Sequence, residues 1–225
     1  MGVTVASGGV GTTLAATDFV RAHTTLRPVE GLTSIRLYQA GDAIELWETV
    51  EAHLGVTGTP PPFWAFAWAG GHGLARYVLE HPQVVAGRAV LDVASGSGLV
   101  AVAAAAAGAS SVVANEIDAY AAAAIGLNAD ANGYAVDVVH ADLLDTDGGD
   151  ADVVFAGDVF YSRAMAERFL AFLERARDRG ARVFVGDPGR AYLPRERFTR
   201  VAGYRVPVDR ALEDADTKAV TVWRV

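Results

Sequence analysis

The sequence predicts an α/β fold: a Rossmann-like, seven-stranded, mostly parallel sheet with an antiparallel C-terminal hairpin, helices on both faces and a helical N-terminal extension. Three observations support this prediction. Short apolar runs alternate with helical stretches from Arg88 onward, a glycine-rich turn follows the first run, and the last two runs lie too close together for a parallel crossover. The five runs expected to be parallel are RAVLDV, SVVANE, AVDVVHA, ADVVFAG and ARVFVGD.

Residues 1–59 are expected to form a flexible tail and a helical extension, and residues 60–225 the main domain. The first 16 or so residues are rich in Gly, Thr and Ala without periodicity, which indicates a tail. Within residues 33–55 a helix is predicted, with Asp42 as its N-cap and Glu45 three residues later. Its expected apolar face consists of Ile44, Trp47, Val50 and Leu54.

The C-terminal part is predicted to contain one long helix, a shorter one and a hairpin. Ser162 can cap the long helix, and Gly180 can end it. Its apolar face is expected to consist of Met165, Phe169, Leu173 and Ala176. A further helix is expected near residues 194–201, before the runs GYRVPV and KAVTVWRV, which only DRALEDADT separates and which are therefore expected to be antiparallel.

Composition limits the class of function. Hydrophobic residues make up 52% and charged residues 20% of the 225 residues, as in globular proteins. A formal net charge of −8 argues against nucleic-acid binding and favours a basic partner. The absence of cysteine excludes disulfides, thiolate metal sites and a cysteine nucleophile, and we expect no metal. With no apolar run of membrane-spanning length, we expect a cytoplasmic, monomeric protein that binds no membrane.

A nucleoside ligand is predicted at the carboxyl ends of the first two strands, where ligands bind in open α/β sheets. Gly96 and Gly98 allow close backbone approach at the opening of a helix, although such glycines also serve simple turns. Glu116, twenty residues beyond Gly96, can accept hydrogen bonds from a ribose diol, whereas Asp118 is better placed to cap a helix. Asp92 favours a ligand with an ammonium group over a dinucleotide diphosphate.

The third and fourth strands also end in polar groups. Asp142 can accept from an adenine amine or can be a solvated turn residue. Asp158 and Tyr161 follow the fourth run, beside the reactive end of a ligand laid across the first two loops. A capping Asp with a packed Tyr is the alternative interpretation of this pair.

These residues make the chain resemble the seven-β-strand, class I S-adenosylmethionine-dependent methyltransferases. More narrowly it resembles the electron transfer flavoprotein β-subunit lysine methyltransferase family. The resemblance rests on PPPFWAFAWAGGHGLARYVLE, VLDVASGSG, VVANEID, GDVFYS and VGDPGR, and it departs from the family pattern at Ala69, His72 and Ser162. The resemblance implies that the cofactor S-adenosyl-L-methionine is bound by Trp68, Gly71, Asp92, Ser95, Gly96, Gly98, Glu116, Ile117, Asp142 and Leu143.

The same resemblance implies a protein-lysine N-methyltransferase acting on electron transfer flavoprotein β-subunit or a similar lysine-presenting protein. Asp158 and Tyr161 would be catalytic and would bind the acceptor, together with Arg190 in GDPGR, which can also be a turn residue. Three alternatives stay open: an N-methyltransferase for small amines or heterocycles, a non-catalytic S-adenosylmethionine-binding protein, and a nicotinamide-dependent dehydrogenase.

Overall fold

Two helices and a β-hairpin precede the main sheet. A computed structural model describes residues 9–210 and 215–225. The elements before the domain are α1 (Gly9–His23), β1 (Thr25–Val29), β2 (Leu32–Gln39) and α2 (Ala43–Leu54). The hairpin β1–β2 was not predicted. Its two strands pair antiparallel around a turn at Gly31, whose φ of 77° suits glycine.

The helix α1 begins within the segment that was expected to be a tail. The prediction of a tail reaching residue 16 is wrong from Gly9 onward, because α1 begins there, while residues 1–8 lie outside the described residues. Apolar side chains at helical spacing, Ala16, Phe19 and Val20, are buried against α2 and the domain. The division of the chain at residue 59 stays a prediction.

The helix α2 has the predicted N-cap but buries only part of the expected face. Asp42 accepts hydrogen bonds from the backbone N–H groups of Ile44 and Glu45, at 2.8 and 2.9 Å. Ile44 and Leu54 are 67% and 48% exposed, so their expected burial is wrong. The predicted Val50 is buried and Trp47 is partly buried, and the helix also packs through Leu46, which was not selected, in one apolar cluster with α1 and its neighbours.

The seven-stranded sheet has the predicted topology. Its strands are β3 (Ala89–Val93), β4 (Ser111–Glu116), β5 (Asp137–His140), β6 (Val153–Gly157), β7 (Arg182–Asp187), β8 (Thr199–Pro207) and β9 (Thr217–Arg224). Their order is β5-β4-β3-β6-β7-β9-β8. The first five are parallel, and β9 runs antiparallel to both of its neighbours.

Helices cover both faces of the sheet. They are α3 (Ala69–Glu80), α4 (Leu99–Ala106), α5 (Ala119–Asn132) and α6 (Arg163–Asp178). The helix α6 packs on one face through Phe169, Leu173 and Ala176, as predicted, with Ser162 as its N-cap. The other face packs against α3, α4 and Ile125 of α5. Alternate strand residues therefore enter different cores, as the pleat requires.

The helix expected near residues 194–201 is absent. A single 3₁₀ turn spans Arg195–Arg197, and β8 begins at Thr199. The hydrogen bonds that β8 makes along β9, from Thr199 to Pro207, outweigh the helical tendency of this short segment. Within the described ranges, no helix has the length and apolar character needed to cross a membrane.

The hairpin is fixed to the domain by two asparagines of α5. The fully buried Asn128 accepts a hydrogen bond from the Tyr38 N–H at 2.7 Å and donates one to the Ser97 carbonyl oxygen at 2.7 Å. One turn later, Asn132 accepts from the Arg36 N–H and donates to the Arg36 carbonyl oxygen. The strand β2 is thereby connected to the glycine-rich loop after β3.

Candidate functional site

The polar strand ends predicted from the sequence meet where the strand order reverses. The strands β3 and β6 are neighbours, and the chain proceeds outward from them in opposite directions. In the described part of the chain, only two non-glycine residues have positive φ: Ala94 at 51° and Asp158 at 60°, one just after each of these strands. Strained backbone of this kind clusters at functional sites, so this crevice is the candidate active site.

The glycine-rich loop after β3 leaves open space beside its backbone. Gly96 and Gly98 have φ of 56° and 80°. A side chain on Gly98 would contact the α5 backbone at Ile125 at 3.3 Å, whereas at Gly96 the nearest atom is 3.9 Å away, the Phe63 carbonyl oxygen. Position 98 therefore requires glycine because a side chain would press against α5. Position 96 requires glycine because its φ is positive, and its backbone faces open space.

Asp92 stabilises this loop from below. Its Oδ2 accepts hydrogen bonds from the Ser95 hydroxyl and from the Ala101 N–H, the latter at 3.2 Å. Burial raises the pKa of Asp92 to about 7 although these two bonds oppose the shift. A cationic group bound beside the loop would favour the ionised form.

Glu116 lies at the end of β4, facing the same loop. Its Oε1 accepts from the Gly96 N–H and its Oε2 from the Ile117 N–H, both at 2.9 Å. A carboxylate has about four lone-pair directions, so both oxygens can still accept hydrogen bonds from a ribose diol. The Ile117 side chain is 65% exposed beside it, which provides an apolar surface for a base.

Asp142 already has a cationic partner. It forms an ion pair with Arg168 at 2.9 Å and accepts from the Leu144 N–H at 3.0 Å. An adenine amine would therefore compete with Arg168 for this exposed carboxylate. Leu143 is half-buried against the α6 core, and Asp118 caps α5 through a hydrogen bond from the Tyr120 N–H.

Asp158, just after β6, connects α3 to the loop after β7. Its Oδ2 accepts from the Gly71 N–H at 3.0 Å, in the first turn of α3, where N–H groups have no partner within the helix. Its Oδ1 accepts from Arg190, at 2.7 Å from Nη2 and 3.2 Å from Nε. Burial raises the pKa of Asp158, and the Arg190 charge opposes that shift.

Glycine backbones make this close approach possible. A Cβ on Gly70 would lie 2.2 Å from the Gly186 carbonyl oxygen and 2.6 Å from Asp158 Oδ2. A Cβ on Gly157 would lie 2.9 Å from the Gly71 nitrogen. The GG pair at the start of α3 is therefore required for the helix to reach the strand ends.

An aromatic cluster lines the crevice. The Trp68 indole N–H donates to the Phe63 carbonyl oxygen at 2.8 Å, and the Phe63 ring lies 5.5 Å from the Trp68 ring and 6.1 Å from the Tyr161 ring. The Arg190 guanidinium lies 5.9 Å from the Trp68 ring centre. Trp68 therefore contacts both Phe63 and the arginine that pairs with Asp158.

The predicted pair Asp158 and Tyr161 is not joined directly. Among the contacts of the described residues, no hydrogen bond connects the Tyr161 hydroxyl to Asp158, and the Tyr161 side chain is half exposed. Burial of its ring raises the pKa of Tyr161, and the nearby Glu116 charge adds to the shift. Tyr161 therefore remains a neutral phenol near Phe63 and Glu116.

Asp187 belongs to the site but was not selected from the sequence. It ends β7 and is 1% exposed, and its Oδ1 accepts from the N–H groups of Gly189 and Arg190 at 2.6 and 2.7 Å. The same rule that selected Asp158, an acid directly after an apolar run, applies equally to the VGD of the fifth run. Phe63 was likewise contained in a quoted motif without being selected.

Comparison with solved structures shows the same fold. Magnesium protoporphyrin IX methyltransferase from Synechocystis PCC 6803, solved with bound S-adenosylmethionine, superposes with a TM-score of 0.53 over 98% of this chain and 100% of its own, at 12% identity. TrmN from Thermus thermophilus gives 0.52 over 75% of this chain and 50% of its own, at 22% identity. At these identities the likeness establishes the fold alone.

The sequence comparisons identify one family among the proteins that share this fold. The sequence profile of ribosomal protein L11 methyltransferase (PrmA) matches residues 69–160, and this match together with the curated relatives identifies the chain as a class I S-adenosylmethionine-dependent methyltransferase. Electron transfer flavoprotein β-subunit lysine methyltransferases match almost three quarters of this chain. The Danio rerio protein is 38% identical over 73% of this chain and 66% of its own length, and the Xenopus laevis protein 36% over 72% and 68%. The chain belongs to this family.

The residues present fit the cofactor of this class. The open space at Gly96, the lone pairs left on Glu116 and the exposed Ile117 are suited to backbone contact, a ribose diol and a base. Asp92 lies beneath the same loop. Asp142 fits less directly, because Arg168 occupies its carboxylate.

Proposed function

We propose that this chain is an S-adenosylmethionine-dependent protein-lysine N-methyltransferase that acts on electron transfer flavoprotein β-subunit or a similar lysine-presenting protein. The acceptor is inferred from the names of the curated relatives, of which the chain spans about two thirds in length. The observation that carries the proposal is the enclosed Asp158 carboxylate, held by a strained backbone beside the glycine-rich loop. A cytoplasmic location and a monomeric state stay predictions from the sequence.

We assign the cofactor to the crevice between the loop after β3 and the end of β4. Glu116 would bind the ribose, Gly96 and Gly98 would allow the methionyl part to approach the backbone, and Trp68 would close over it. When bound, S-adenosylmethionine supplies a methyl group on a positively charged sulfur. The Phe63, Trp68 and Tyr161 rings line this part of the site, and because Phe63 and Tyr161 are 39% and 52% exposed, a bound cofactor would cover them and displace water.

We assign binding of the acceptor ammonium to Asp158. A carboxylate raises the pKa of a bound amine, whereas desolvation and a neighbouring positive charge lower it. The enclosed surroundings would therefore lower the amine pKa, the proton would pass to water at the half-exposed Tyr161 side of the crevice, and Asp158 would orient the nitrogen. Tyr161 forms the wall of the channel and, as a neutral phenol, can donate one hydrogen bond.

The Asp158→Asn variant tests this assignment. We expect transfer of labelled methyl to purified electron transfer flavoprotein β-subunit to fall by about 100-fold or more, because the amine loses its ionic partner and its alignment. The affinity for S-adenosylhomocysteine, measured by calorimetry, is expected to change less than about 3-fold. Asp130→Asn, which removes an exposed carboxylate on α5, is the matched control. Full activity of a folded Asp158→Asn protein would refute the assignment.

The identity of the acceptor is tested in a lysate. Purified enzyme and labelled cofactor are added to lysate from a strain lacking the gene, and labelled products are identified by mass spectrometry. We expect label on a lysine of a protein. Label on small amines or heterocycles alone would favour the small-molecule alternative, and cofactor binding without any transfer would favour a non-catalytic protein.

A further inference from the structure

The carboxylate assigned to the acceptor is occupied by an arginine of the same chain. Both Nε and Nη2 of Arg190 donate to Asp158 Oδ1, and the other carboxylate oxygen accepts from the Gly71 N–H. The side chains of Asp158 and Arg190 are 12% and 20% exposed, so the ion pair is largely enclosed. The two guanidinium N–H groups use both lone pairs of Oδ1, so an acceptor ammonium can bind this oxygen only after the guanidinium moves, whereas Oδ2 keeps one lone pair beside the Gly71 N–H.

The loop that carries Arg190 is held independently of this ion pair. Asp187 Oδ1 accepts from the backbone N–H groups of Gly189 and Arg190, which fixes the turn, and Gly189 has a φ of 98°. Asp187 Oδ2 is buried and makes no hydrogen bond within the described part of the chain. The Arg190 side chain can therefore rotate away from Asp158 without unfolding the loop, because the anchoring bonds involve its backbone.

The surroundings of Arg190 favour exchange of one cation for another. The guanidinium lies 5.9 Å from the centre of the Trp68 ring. The Arg190 side chain is 20% exposed, which leaves it a path to solvent. An enclosed carboxylate left without a partner is unfavourable, so Asp158 must gain another cation or a proton when the guanidinium leaves. An ammonium group can replace the guanidinium, whereas an uncharged acceptor cannot.

We propose that Arg190 is the resident counter-ion of Asp158, which the ammonium group of an acceptor lysine displaces when it binds. This inference rests on the proposed function, because it deepens the assignment of the acceptor to this carboxylate. Arg190 then restricts the site to cationic acceptors and keeps Asp158 paired between turnovers.

Binding of a lysine side-chain mimic tests the exchange without requiring catalysis. In Arg190→Ala at pH 8, n-butylammonium at about ten times its Kd is expected to raise Tm by about 3–5 °C. The uncharged n-butanol and an equal concentration of NaCl are expected to leave Tm unchanged. The wild-type protein is expected to respond several-fold less, because its own guanidinium competes.

Two variants control this result. Arg197→Ala removes a guanidinium from the same connection between β7 and β8, but one that binds Glu174, and it is expected to behave like the wild type. Adding Asp158→Asn to Arg190→Ala is expected to abolish the response. Equal responses of wild type and Arg190→Ala, or no charge-selective response in a folded Arg190→Ala, would overturn the proposal.

The wild-type protein gives a second test if Arg190→Ala does not fold. The Arg190 Nε–H resonance, followed by NMR, is expected to move towards the position of a solvated arginine as n-butylammonium is added, but not with n-butanol. An unchanged resonance at saturation would overturn the proposal.

Steady-state kinetics distinguish a failure of this inference from a failure of the proposed function. The KM for electron transfer flavoprotein β-subunit is expected to fall at least about 3-fold in Arg190→Ala at pH 8. A raised KM would identify Arg190 as a substrate contact and overturn the displacement. If wild type transfers no methyl to any protein, the proposed function fails, while the binding of n-butylammonium still reports on Arg190.

Discussion

Asp92 is deeply buried and lies directly beneath the glycine-rich loop after β3. Its side chain is enclosed at the end of β3, and burial raises its pKa from 3.8 to about 7. Between these two values the unfolded chain loses the Asp92 proton while the folded protein keeps it. The folded state therefore binds more protons, and this group lowers the free energy of unfolding as the pH rises.

The Asp92→Asn variant isolates this effect. The free energy of unfolding of the variant minus that of the wild type is expected to increase from pH 4 to pH 8 by up to roughly 4 kcal/mol, since the amide does not ionise. Urea unfolding at several pH values measures this difference. Asp130→Asn, at an exposed position of α5, controls for the loss of one negative charge. A difference that does not change with pH would contradict the expected burial effect.

For single residues, the sequence indicates which side chains lie at the strand ends but not which partners these side chains bind. Glu116 and Asp158 could be placed because each follows an apolar run. The pairing of Asp158 with Arg190, 32 residues away, depends on the turn that Asp187 fixes after β7. The pairing of Asp142 with Arg168 likewise depends on how α6 lies over the sheet.

Among the helices and strands, the position of α3 depends most directly on glycine, because its first turn packs against the strand ends. In Gly70→Ala the added Cβ would meet the Gly186 carbonyl oxygen, so the start of α3 has to move away from the sheet. We expect a loss of about 1–3 kcal/mol of stability from this overpacking. Methyl transfer is also expected to fall, because the Gly71 N–H would no longer reach Asp158.

Gly126→Ala is the matched control in another helix. No atom lies within 4 Å of a Cβ at Gly126, in the middle of α5, so we expect this variant to gain up to about 1 kcal/mol from helix propensity. Chemical denaturation of both variants measures the contrast. A Gly70→Ala protein as stable as the wild type would show that α3 approaches the strands less closely than described.

The elements of the sheet could be predicted because each strand has an apolar run of its own. The hairpin β1–β2 could not, since β1 contains Pro28 and only Val29 of its five residues is buried. Its structure depends on pairing with β2 and on Asn128 and Asn132, about 90 residues away in the sequence. The segment 194–201 was mispredicted for a related reason: β8 forms because β9 pairs with it.

For the whole molecule, the acidic surface predicts a salt-dependent encounter with the acceptor. A formal net charge of −8 attracts a lysine-rich surface at low ionic strength, where the Debye length is about 30 Å at 0.01 M. We expect the KM for the protein acceptor to rise several-fold between about 0.01 and 0.3 M NaCl. Steady-state kinetics with fixed cofactor measure it, and cofactor affinity at each salt concentration is the control. A KM independent of salt would show that charge does not guide this encounter.

The two asparagines of α5 also determine what the edge of β2 that does not pair with β1 can do. An exposed strand edge carries unpaired N–H and C=O groups onto which a second chain can add, the usual start of edge-to-edge aggregation. On β2 the Arg36 N–H, the Arg36 carbonyl and the Tyr38 N–H are already bonded to Asn132 and Asn128. A helix thus takes the place of a third strand and protects the small sheet against misassembly.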